Sequence, residues 1–579
     1  MDRALRPEFV AEALGEHAEG IVLPTVEQLI DLIAAVEVGA FAGADAVDEQ
    51  LLETAWYLHG VASASLAADL YTAARQQRAF AVSAHIFDLA LNTSNLSLMD
   101  RLNYAFAAQV GYRRADLDPN ATAIWRRVDA DLDDSPPHGP NAGEAQSVST
   151  EEPPDDEADR SGEDTEPDTE AITSGIGLPR GSAFSLMALR AGIAFLGLDI
   201  GRISELLTTW RANVEDMRDI IGTGSLVPTM FGPAEQVVQA IEDLVDYLRY
   251  GQGTRLETAR AALQSVVDLS AGQGDTDSRW VAAHLLTIAD GLEDSSIWSV
   301  LPPDSPPELA QAFTIGTPPV LTLWPPQREV LRRTELNPLD PATKRLLLSV
   351  PTSAGKTLLA QIIMCHHLAT ASGDVCYVSP LRSLGREMRQ ALSNRLRILH
   401  KSLGDDLPDF GSMNLNDLLT FFSETTSAAS VEIMTPERLS HLLRRDPDGA
   451  LGRFTMFVID EAHLVAEPHR GFLLESLLSV LGTSDARLIL LSAAMGNAQQ
   501  VASWLDDSSP NTLFSSDWRG PRRLHSVLNS EIVWDSEREL KTNSVAYPVR
   551  KEFDVVGKLR IKPAEAATKV LWTHSERPL

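Results

Sequence analysis

The sequence predicts an α/β fold, with a doubly wound parallel sheet in the second half of the chain and a mostly α-helical region before it. Before about residue 300, apolar residues recur every three or four positions, as in Ile203, Leu207 and Val214, which is typical of amphipathic helices. After residue 320, short and almost continuously apolar runs alternate with helical stretches, at 345–350, 375–379, 457–459 and 488–491. Such runs are typical of parallel strands that are buried on both faces.

The charge of the chain is very uneven. Its 579 residues, enough for about four domains, include 81 acidic and 49 basic side chains, a net charge of −32. Such an excess argues at first against a nucleic-acid partner, because phosphate neutralisation needs Lys and Arg. However, residues 321–520 carry −3 and residues 521–579 carry +3, which sum to zero, so the whole excess lies in residues 1–320. We therefore expect the acidic extension to dock a protein partner or to screen the rest of the chain.

The N-terminal residues, the length of the apolar runs and the two cysteines argue against a secreted protein, a membrane protein and a zinc protein. The first residues lead into no apolar signal region, and no apolar run approaches the roughly 18 residues of a membrane span. We expect no membrane contact and a cytoplasmic location. Cys365 and Cys376 both lie in apolar runs, so they are expected to be buried small hydrophobic residues and not zinc ligands or a disulfide.

Shifts in composition predict the domain boundaries. Residues 129–170 carry 16 acidic side chains and one basic one, with almost no large apolar residue, which favours a disordered linker. Within the first region, helices are predicted at 51–61, 66–87 and 102–110. The predicted organisation is a helical accessory domain at 1–128, an acidic linker at 129–175, a helical domain at 176–300, a Pro-rich connector at 301–319, a sheet domain at 320–520 and a tail at 521–579.

The first predicted strand, residues 345–350, leads directly into a loop of small residues and then into a predicted helix at 358–368. Such a loop lets successive backbone N–H groups close around phosphate oxygens, and the helix N-terminus adds partial positive charge. Lys356 would reach the β- and γ-phosphates of ATP, and the Thr357 hydroxyl would bind Mg²⁺. The strict pattern has Gly at position 350, where this chain has Val, so a chance Gly-Lys-Thr turn is the alternative. The residues expected to enclose the phosphates are Thr352, Ser353, Ala354, Gly355, Lys356 and Thr357.

Two later strands also end in informative residues. The predicted strand at 457–459 ends in Asp460 and Glu461, whose side chains point to opposite sides and can divide two tasks. Asp460 would contribute to the Mg²⁺ shell, while Glu461 would orient or deprotonate the attacking water. A helix N-cap is the alternative for this pair. The predicted strand at 488–491 leads into Ser492, which is a weak signal on its own.

These segments together resemble a known family. Residues 350–357, 460–463 and 492–494 resemble motifs I, II and III of superfamily two helicases, most closely the Ski-like DExH branch. The resemblance implies a RecA-like motor domain, the first of two, in which His463 and Ser492 would couple hydrolysis to strand movement. Residues 378–384 and 434–439 resemble motifs Ia and Ib, and Gln327 resembles the glutamine that reads adenine. By this resemblance, the contacts to the sugar-phosphate backbone of single-stranded DNA or RNA would come from Pro380, Arg382, Thr435, Pro436 and Arg438.

The sequence departs from the family pattern in two places. Motif III usually ends in Thr, whose hydroxyl Ala494 lacks, and only 83 residues follow Gly496, with no recognisable arginine motif in 524–579. Without the Thr hydroxyl, the coupling of hydrolysis to movement either differs or depends on Ser492 through a contact with His463. Because the arginines of a second motor domain are not recognisable, we expect this chain alone to bind ATP and hydrolyse it slowly. The leading hypothesis is an ATP-dependent helicase or translocase, and the alternative is a non-hydrolysing ATP-binding scaffold that docks partners through its helices. A role in defence against foreign nucleic acid is a third possibility, which no residue tests.

Overall fold

The computed structural model divides the chain into two compact units. One consists of Met1–Glu242, Thr258–Ile288 and Arg523–Leu579, and the other of Asp243–Glu257 and Ala289–Arg522. The residues that the structure describes are 6–15, 23–42, 47–68, 72–93, 96–133, 181–221, 227–269, 275–351, 354–371, 373–404, 430–467, 471–493, 495–505, 512–516, 518, 528–533, 550–555, 560–561 and 569–570.

The region before the sheet is helical, as predicted. Its described helices are α1 (Pro7–Leu14), α2 (Val26–Ala42), α3 (Glu49–Ala68), α4 (Ala73–Ala90), α5 (Leu98–Arg114), α6 (Asp118–Asp133), α7 (Gly181–Leu196), α8 (Ile200–Ile221), α9 (Val227–Tyr250), α10 (Gly253–Val267) and α11 (Thr276–Ser295). No helix of the described residues is both long enough and apolar enough to cross a bilayer.

Within the first unit, α4 and α5 approach each other closely. A Cβ atom at Gly111 of α5 would lie 2.8 Å from both the Ala84 Cβ and the Phe80 carbonyl oxygen of α4, so only glycine allows this contact.

The prediction of a single helix over 66–87 is wrong, because this part of the chain is divided between α3 and α4. Thr72 starts α4 by accepting a hydrogen bond from the Arg75 N–H, as an N-cap residue does.

The structure describes only residues 129–133 of the predicted acidic linker at 129–175. Helix α6 continues to Asp133, beyond the predicted boundary at 128. The remainder of the linker lies outside the described residues.

The predicted tail at 521–579 contains two antiparallel strand pairs among its described residues. β7 (Leu528–Val533) pairs with β8 (Arg550–Val555), and the short strand β9 (Arg560–Ile561) pairs with β10 (Lys569–Val570).

The second unit contains a six-stranded sheet in which every pairing is parallel, in the order β3-β2-β4-β5-β1-β6. Its strands are β1 (Arg345–Ser349), β2 (Asp374–Val378), β3 (Val431–Met434), β4 (Phe454–Ile459), β5 (Arg487–Ser492) and β6 (Leu513–Ser515). The helices of this unit after α11 are α12 (Ile297–Val300), α13 (Pro307–Thr314), α14 (Pro325–Leu331), α15 (Lys356–Thr370), α16 (Arg382–Ile398), α17 (Pro436–Arg445), α18 (Pro447–Arg453), α19 (Gly471–Gly482) and α20 (Ala498–Leu505). The predicted α/β fold class is thereby confirmed.

Successive strand residues belong to two separate hydrophobic cores, one on each face of the sheet. Leu346 and Leu348 of β1 pack with α15 and α16 on one face, whereas Leu347 packs with α17, α19 and α20 on the other. This alternation follows from the two-residue period of a strand. Both faces are therefore covered by helices, which explains why the strand segments are apolar almost throughout.

The Pro-rich connector packs on α16 through a buried arginine. The Arg395 side chain donates to the Gln361 Oε1 at 2.8 Å and to the carbonyl oxygens of Ala312 and Pro318 at 3.3 Å each. Its guanidinium also lies 4.4 Å from the centre of the Phe313 ring. Burial lowers the pKa of this guanidinium below its ordinary value. Arg395 thus fixes residues 312–318 to the sheet domain.

Candidate active site

The candidate site lies where the parallel strands of the second unit end. In the sheet register, Ser349 is paired with Ser492, Ile459 with Leu490, and Val378 with both Ile459 and Met434. The loops after β1, β5, β4, β2 and β3 therefore emerge along one edge, where ligands of open α/β sheets bind. The sequence-predicted motifs follow this order, with motifs I, III and II adjacent and motifs Ia and Ib beyond them.

The loop after β1 is fixed at both of its described ends. Val350 donates its N–H to the Ser492 carbonyl at 3.1 Å, and Ala354 donates to the Pro351 carbonyl at 3.0 Å. Gly355 has a φ of +77°, in the left-handed region, and α15 begins at Lys356. The Thr357 side chain is exposed at the start of this helix. Thr352 and Ser353 lie outside the described residues, so their predicted phosphate contacts stay predictions.

Lys356 and Glu461 form an ion pair that joins the first loop to the second. The Lys356 Nζ lies 3.1 Å from the Glu461 Oε2, and the two side chains are 6% and 21% exposed. Glu461 has a φ of +49°, an uncommon conformation for a residue with a side chain. The His463 Nδ1 lies 3.2 Å from the same carboxylate oxygen, without hydrogen-bond geometry. Sequence motifs separated by about a hundred residues are thus in direct contact.

The Asp460 carboxylate has a different side-chain partner from Glu461, and this partner, Tyr377, lies outside the predicted motifs. The Tyr377 hydroxyl of β2 donates to the Asp460 Oδ2 at 2.5 Å. The Asp460 Oδ1 accepts the Glu461 N–H at 2.9 Å. Burial raises the pKa of Asp460 and also raises the pKa of Tyr377. The signal in the sequence is a phenol among the apolar residues Val375, Cys376 and Val378 of this strand.

Gln327 contacts the protein backbone through both ends of its amide. Its Nε2 donates to the Ala354 carbonyl at 3.1 Å, and its Oε1 accepts the Trp324 N–H at 2.9 Å. The residue is 2% exposed. These two bonds link α14 to the phosphate loop, and the adenine contact of Gln327 stays a prediction. The Trp324 ring packs on the Trp518 ring, with centroids 5.9 Å apart.

Substituting Gly355 by alanine is expected to destabilise the sheet domain by about 1–2 kcal/mol, the cost of a left-handed backbone for a residue with a Cβ. The new Cβ would also lie 2.2 Å from the Gln327 Nε2. Urea denaturation measures this change. Gly482→Ala is the matched control, because nothing lies within 4 Å of its Cβ position. An equal effect of both substitutions would show that the loop conformation is not responsible.

The two residues predicted to couple hydrolysis to movement are not in hydrogen-bond contact. Ser492 is fully buried, and its hydroxyl donates to the Ala493 carbonyl at 2.8 Å. Within the described part of the chain, no hydrogen bond joins Ser492 to His463. The contact expected between them is thus absent from this conformation, and Ala494 lies outside the described residues.

The residues predicted to contact a nucleic-acid strand follow two neighbouring strands. Pro380 and Arg382 come after β2, and Arg382, the first residue of α16, is exposed. Thr435 is the N-cap of α17 and accepts a hydrogen bond from the Arg438 N–H at 3.5 Å, with Pro436 in the first turn. Arg438 is only partly exposed, and burial lowers the pKa of its guanidinium. Arg382 is therefore the more accessible of the two cations.

The side chains at this edge suit magnesium bound together with a phosphate. Among the described residues, His, Cys, Asp and Glu side chains form no group of three or more that could hold a metal ion. Mg²⁺ in nucleotide sites commonly uses one or two carboxylates together with substrate phosphates and water. Asp460 and the exposed Thr357 hydroxyl supply hard oxygen atoms of this kind, so the residues present fit such a site.

Comparison with known proteins supports a helicase domain. Residues 324–501 match the model of the DEAD/DEAH box helicase family. The Hachiman protein HamB of Bacillus cereus is 27% identical over 309 residues, which cover 51% of this chain and 26% of HamB. The ATP-dependent DNA helicase Hel308 of Thermococcus kodakarensis is 32% identical over 215 residues, which cover 37% of this chain and 17% of Hel308.

The solved structure of the Mycobacterium smegmatis helicase Lhr bound to ssDNA and AMP-PNP is 25% identical, covering 37% of this chain and 28% of that one. The TM-score of this match is 0.29. The sequence matches support a superfamily two helicase domain over residues 324–501, as the motifs predicted. The matched regions span about a quarter or less of the two curated relatives, at 26% and 17% of their lengths.

Proposed function

We propose that residues 320–520 are the first motor domain of an ATP-dependent nucleic-acid helicase or translocase. The observation that carries this proposal is the contact of 3.1 Å between Lys356 and Glu461, which brings the phosphate loop and the carboxylate motif together. The family match over residues 324–501 supports the same function. We assign the domain to the Ski-like DExH branch on its Pro-Thr-Ser-Ala-Gly-Lys-Thr loop and its Asp-Glu-Ala-His segment.

In this proposal, Lys356 releases Glu461 when the β- and γ-phosphates of ATP bind, because the phosphates offer it more negative charge. The backbone N–H groups of the loop after β1 would enclose the phosphate oxygens, and Thr357 and Asp460 would hold Mg²⁺. When bound, this ion would supply positive charge against the charge that develops on the phosphates. Glu461, freed from the lysine, orients or deprotonates the attacking water.

The residues proposed to contact the backbone of single-stranded DNA or RNA are Pro380, Arg382, Thr435, Pro436 and Arg438.

We further propose that residues 1–579 alone turn over ATP slowly and that the protein works in the cytoplasm. The acidic helical region is proposed to dock a protein partner. The charge distribution supports the docking role, since all of the net −32 lies in residues 1–320.

Single-turnover hydrolysis of ATP, with and without single-stranded DNA and RNA, tests the proposed function. A single strand is expected to raise the rate above that of the Glu461→Gln variant, which supplies the background. A protein that does not bind ATP would contradict the proposal. So would a rate equal to the background under all conditions, which is the behaviour of a non-hydrolysing scaffold.

Replacing Arg382 by alanine is expected to weaken strand binding in a salt-dependent way. Each lost phosphate contact lowers the slope of log K against log salt by about 0.7 for a single strand. Fluorescence anisotropy over a salt series measures this slope. Arg397→Ala is the control, since Arg397 is also exposed but lies in the last turn of the same helix, α16. Equal slopes for the Arg382 variant and the wild type would exclude this phosphate contact.

A further inference from the structure

Asp460 is held in place from a neighbouring strand. Tyr377 lies on β2, which pairs with β4 so that Tyr377 is opposite Val458 and Val378 is opposite Ile459, the residue before Asp460. The Tyr377 hydroxyl donates to the Asp460 Oδ2 at 2.5 Å, and Tyr377 is only 1% exposed. A buried phenol has few rotamers, so this donor occupies a fixed position relative to the carboxylate.

Two further polar groups of Asp460 are engaged. Its backbone N–H donates to the Val378 carbonyl at 2.9 Å, and its Oδ1 accepts the Glu461 N–H at 2.9 Å. The backbone thus fixes the Cα position and one carboxylate oxygen. The other oxygen is oriented by Tyr377, the only side chain that donates to Asp460 among the described residues.

We propose that Tyr377 is a positioning residue for Asp460, orienting its carboxylate for magnesium bound with ATP; this inference rests on the proposed function. Groups that hydrogen-bond a metal ligand set its orientation, and their loss typically reduces metal affinity about 10- to 100-fold. The geometry assigns this task to the hydroxyl alone. The Tyr377 ring packs in the hydrophobic core of one sheet face, where its contribution is to stability.

Tyr377→Phe separates the two contributions, because it keeps the ring and removes the hydroxyl. The experiment titrates Mg²⁺ into the full chain with a fluorescent non-hydrolysable ATP analogue and repeats the binding measurement in EDTA. The Mg²⁺ concentration at half-maximal binding is expected to rise about 10-fold in the variant. The affinity in EDTA is expected to stay at the wild-type value.

Tyr112→Phe is the matched control. The Tyr112 hydroxyl donates to the Asp88 Oδ2 at 2.8 Å and this tyrosine is 2% exposed, but both residues belong to the first unit. It is expected to leave both affinities unchanged. Tyr377→Met also lacks the hydroxyl and is expected to shift the Mg²⁺ midpoint as Tyr377→Phe does. It serves as the test variant if Tyr377→Phe does not fold.

The outcomes are distinguishable. An unchanged Mg²⁺ midpoint in a folded Tyr377 variant would overturn the positioning role while leaving the proposed function intact. Equal losses of affinity with Mg²⁺ and in EDTA would also overturn it, because they would show general damage to the site. A wild-type chain that binds no nucleotide even with Mg²⁺ would contradict the proposed function itself.

Discussion

Replacing Lys356 by alanine is expected to weaken ATP binding about 100-fold. Charge-assisted hydrogen bonds contribute about 1.5–3 kcal/mol each, and tenfold in affinity corresponds to about 1.4 kcal/mol. The Lys356 side chain is 6% exposed and sits at the beginning of α15, so no other cation of the described chain is placed to replace it within the loop. Isothermal titration with Mg²⁺ and a non-hydrolysable ATP analogue measures the loss.

Lys344→Ala provides the control for this substitution. Lys344 directly precedes β1, is exposed, and therefore lies at the end of that strand opposite to the candidate site. Its removal is expected to leave ATP affinity unchanged. Wild-type affinity in the Lys356→Ala protein would rule out the loop after β1 as the phosphate site.

Replacing Glu461 by glutamine is expected to increase ATP affinity and to reduce hydrolysis about 100- to 10,000-fold, the usual contribution of general acid–base catalysis. The amide is close in shape to the carboxylate but cannot accept a proton from water. It also removes the ion pair of 3.1 Å with Lys356. Since Lys356 no longer has to leave an anionic partner, ATP affinity is expected to increase.

Binding and hydrolysis therefore change in opposite directions in this variant, whereas general damage would lower both. Single-turnover hydrolysis and equilibrium binding of the same preparation measure the two effects. Glu467→Gln is the matched control. A short 3₁₀ helix, Ala462–Ala466, begins directly after Glu461, and the exposed Glu467 directly follows this helix. This control substitution is expected to have no effect on binding or hydrolysis. Hydrolysis at the wild-type rate in Glu461→Gln would assign the water-activating role to another residue.

Much of the sheet was predictable because strands buried on both faces leave a clear apolar signal. The runs at 345–350, 375–379, 457–459 and 488–491 correspond to β1, β2, β4 and β5, with ends that differ by a few residues. The loops at their carboxyl ends were also predictable, because small and charged residues interrupt the apolar pattern there. The short strands β3 and β6 were not predicted. β3 has four residues, one of them Glu432, and β6 has three, so neither shows a sustained apolar run.

Contacts between distant segments could not be read from the sequence. Arg395 lies in a helix rich in arginine and resembles a surface residue, yet it is 2% exposed and binds the connector. The hydroxyl of Tyr377 faces Asp460 because β2 pairs with β4, and the amide of Gln327 faces the phosphate loop because α14 lies beside that loop. Such partners depend on the order of strands and on helix packing, which local periodicity does not encode.

Hydrogen–deuterium exchange of the Glu461→Gln protein, with and without Mg²⁺ and ATP, tests most directly where the nucleotide binds. The structure predicts that ATP slows exchange at residues 354–358 and 458–463, because these segments meet at the Lys356–Glu461 contact of the wild-type protein. Single-stranded nucleic acid is predicted to slow exchange at residues 379–383 and 434–438. Protection by ATP outside these first two segments only, or no protection at all, would contradict the assignment of this sheet edge as the ATP site.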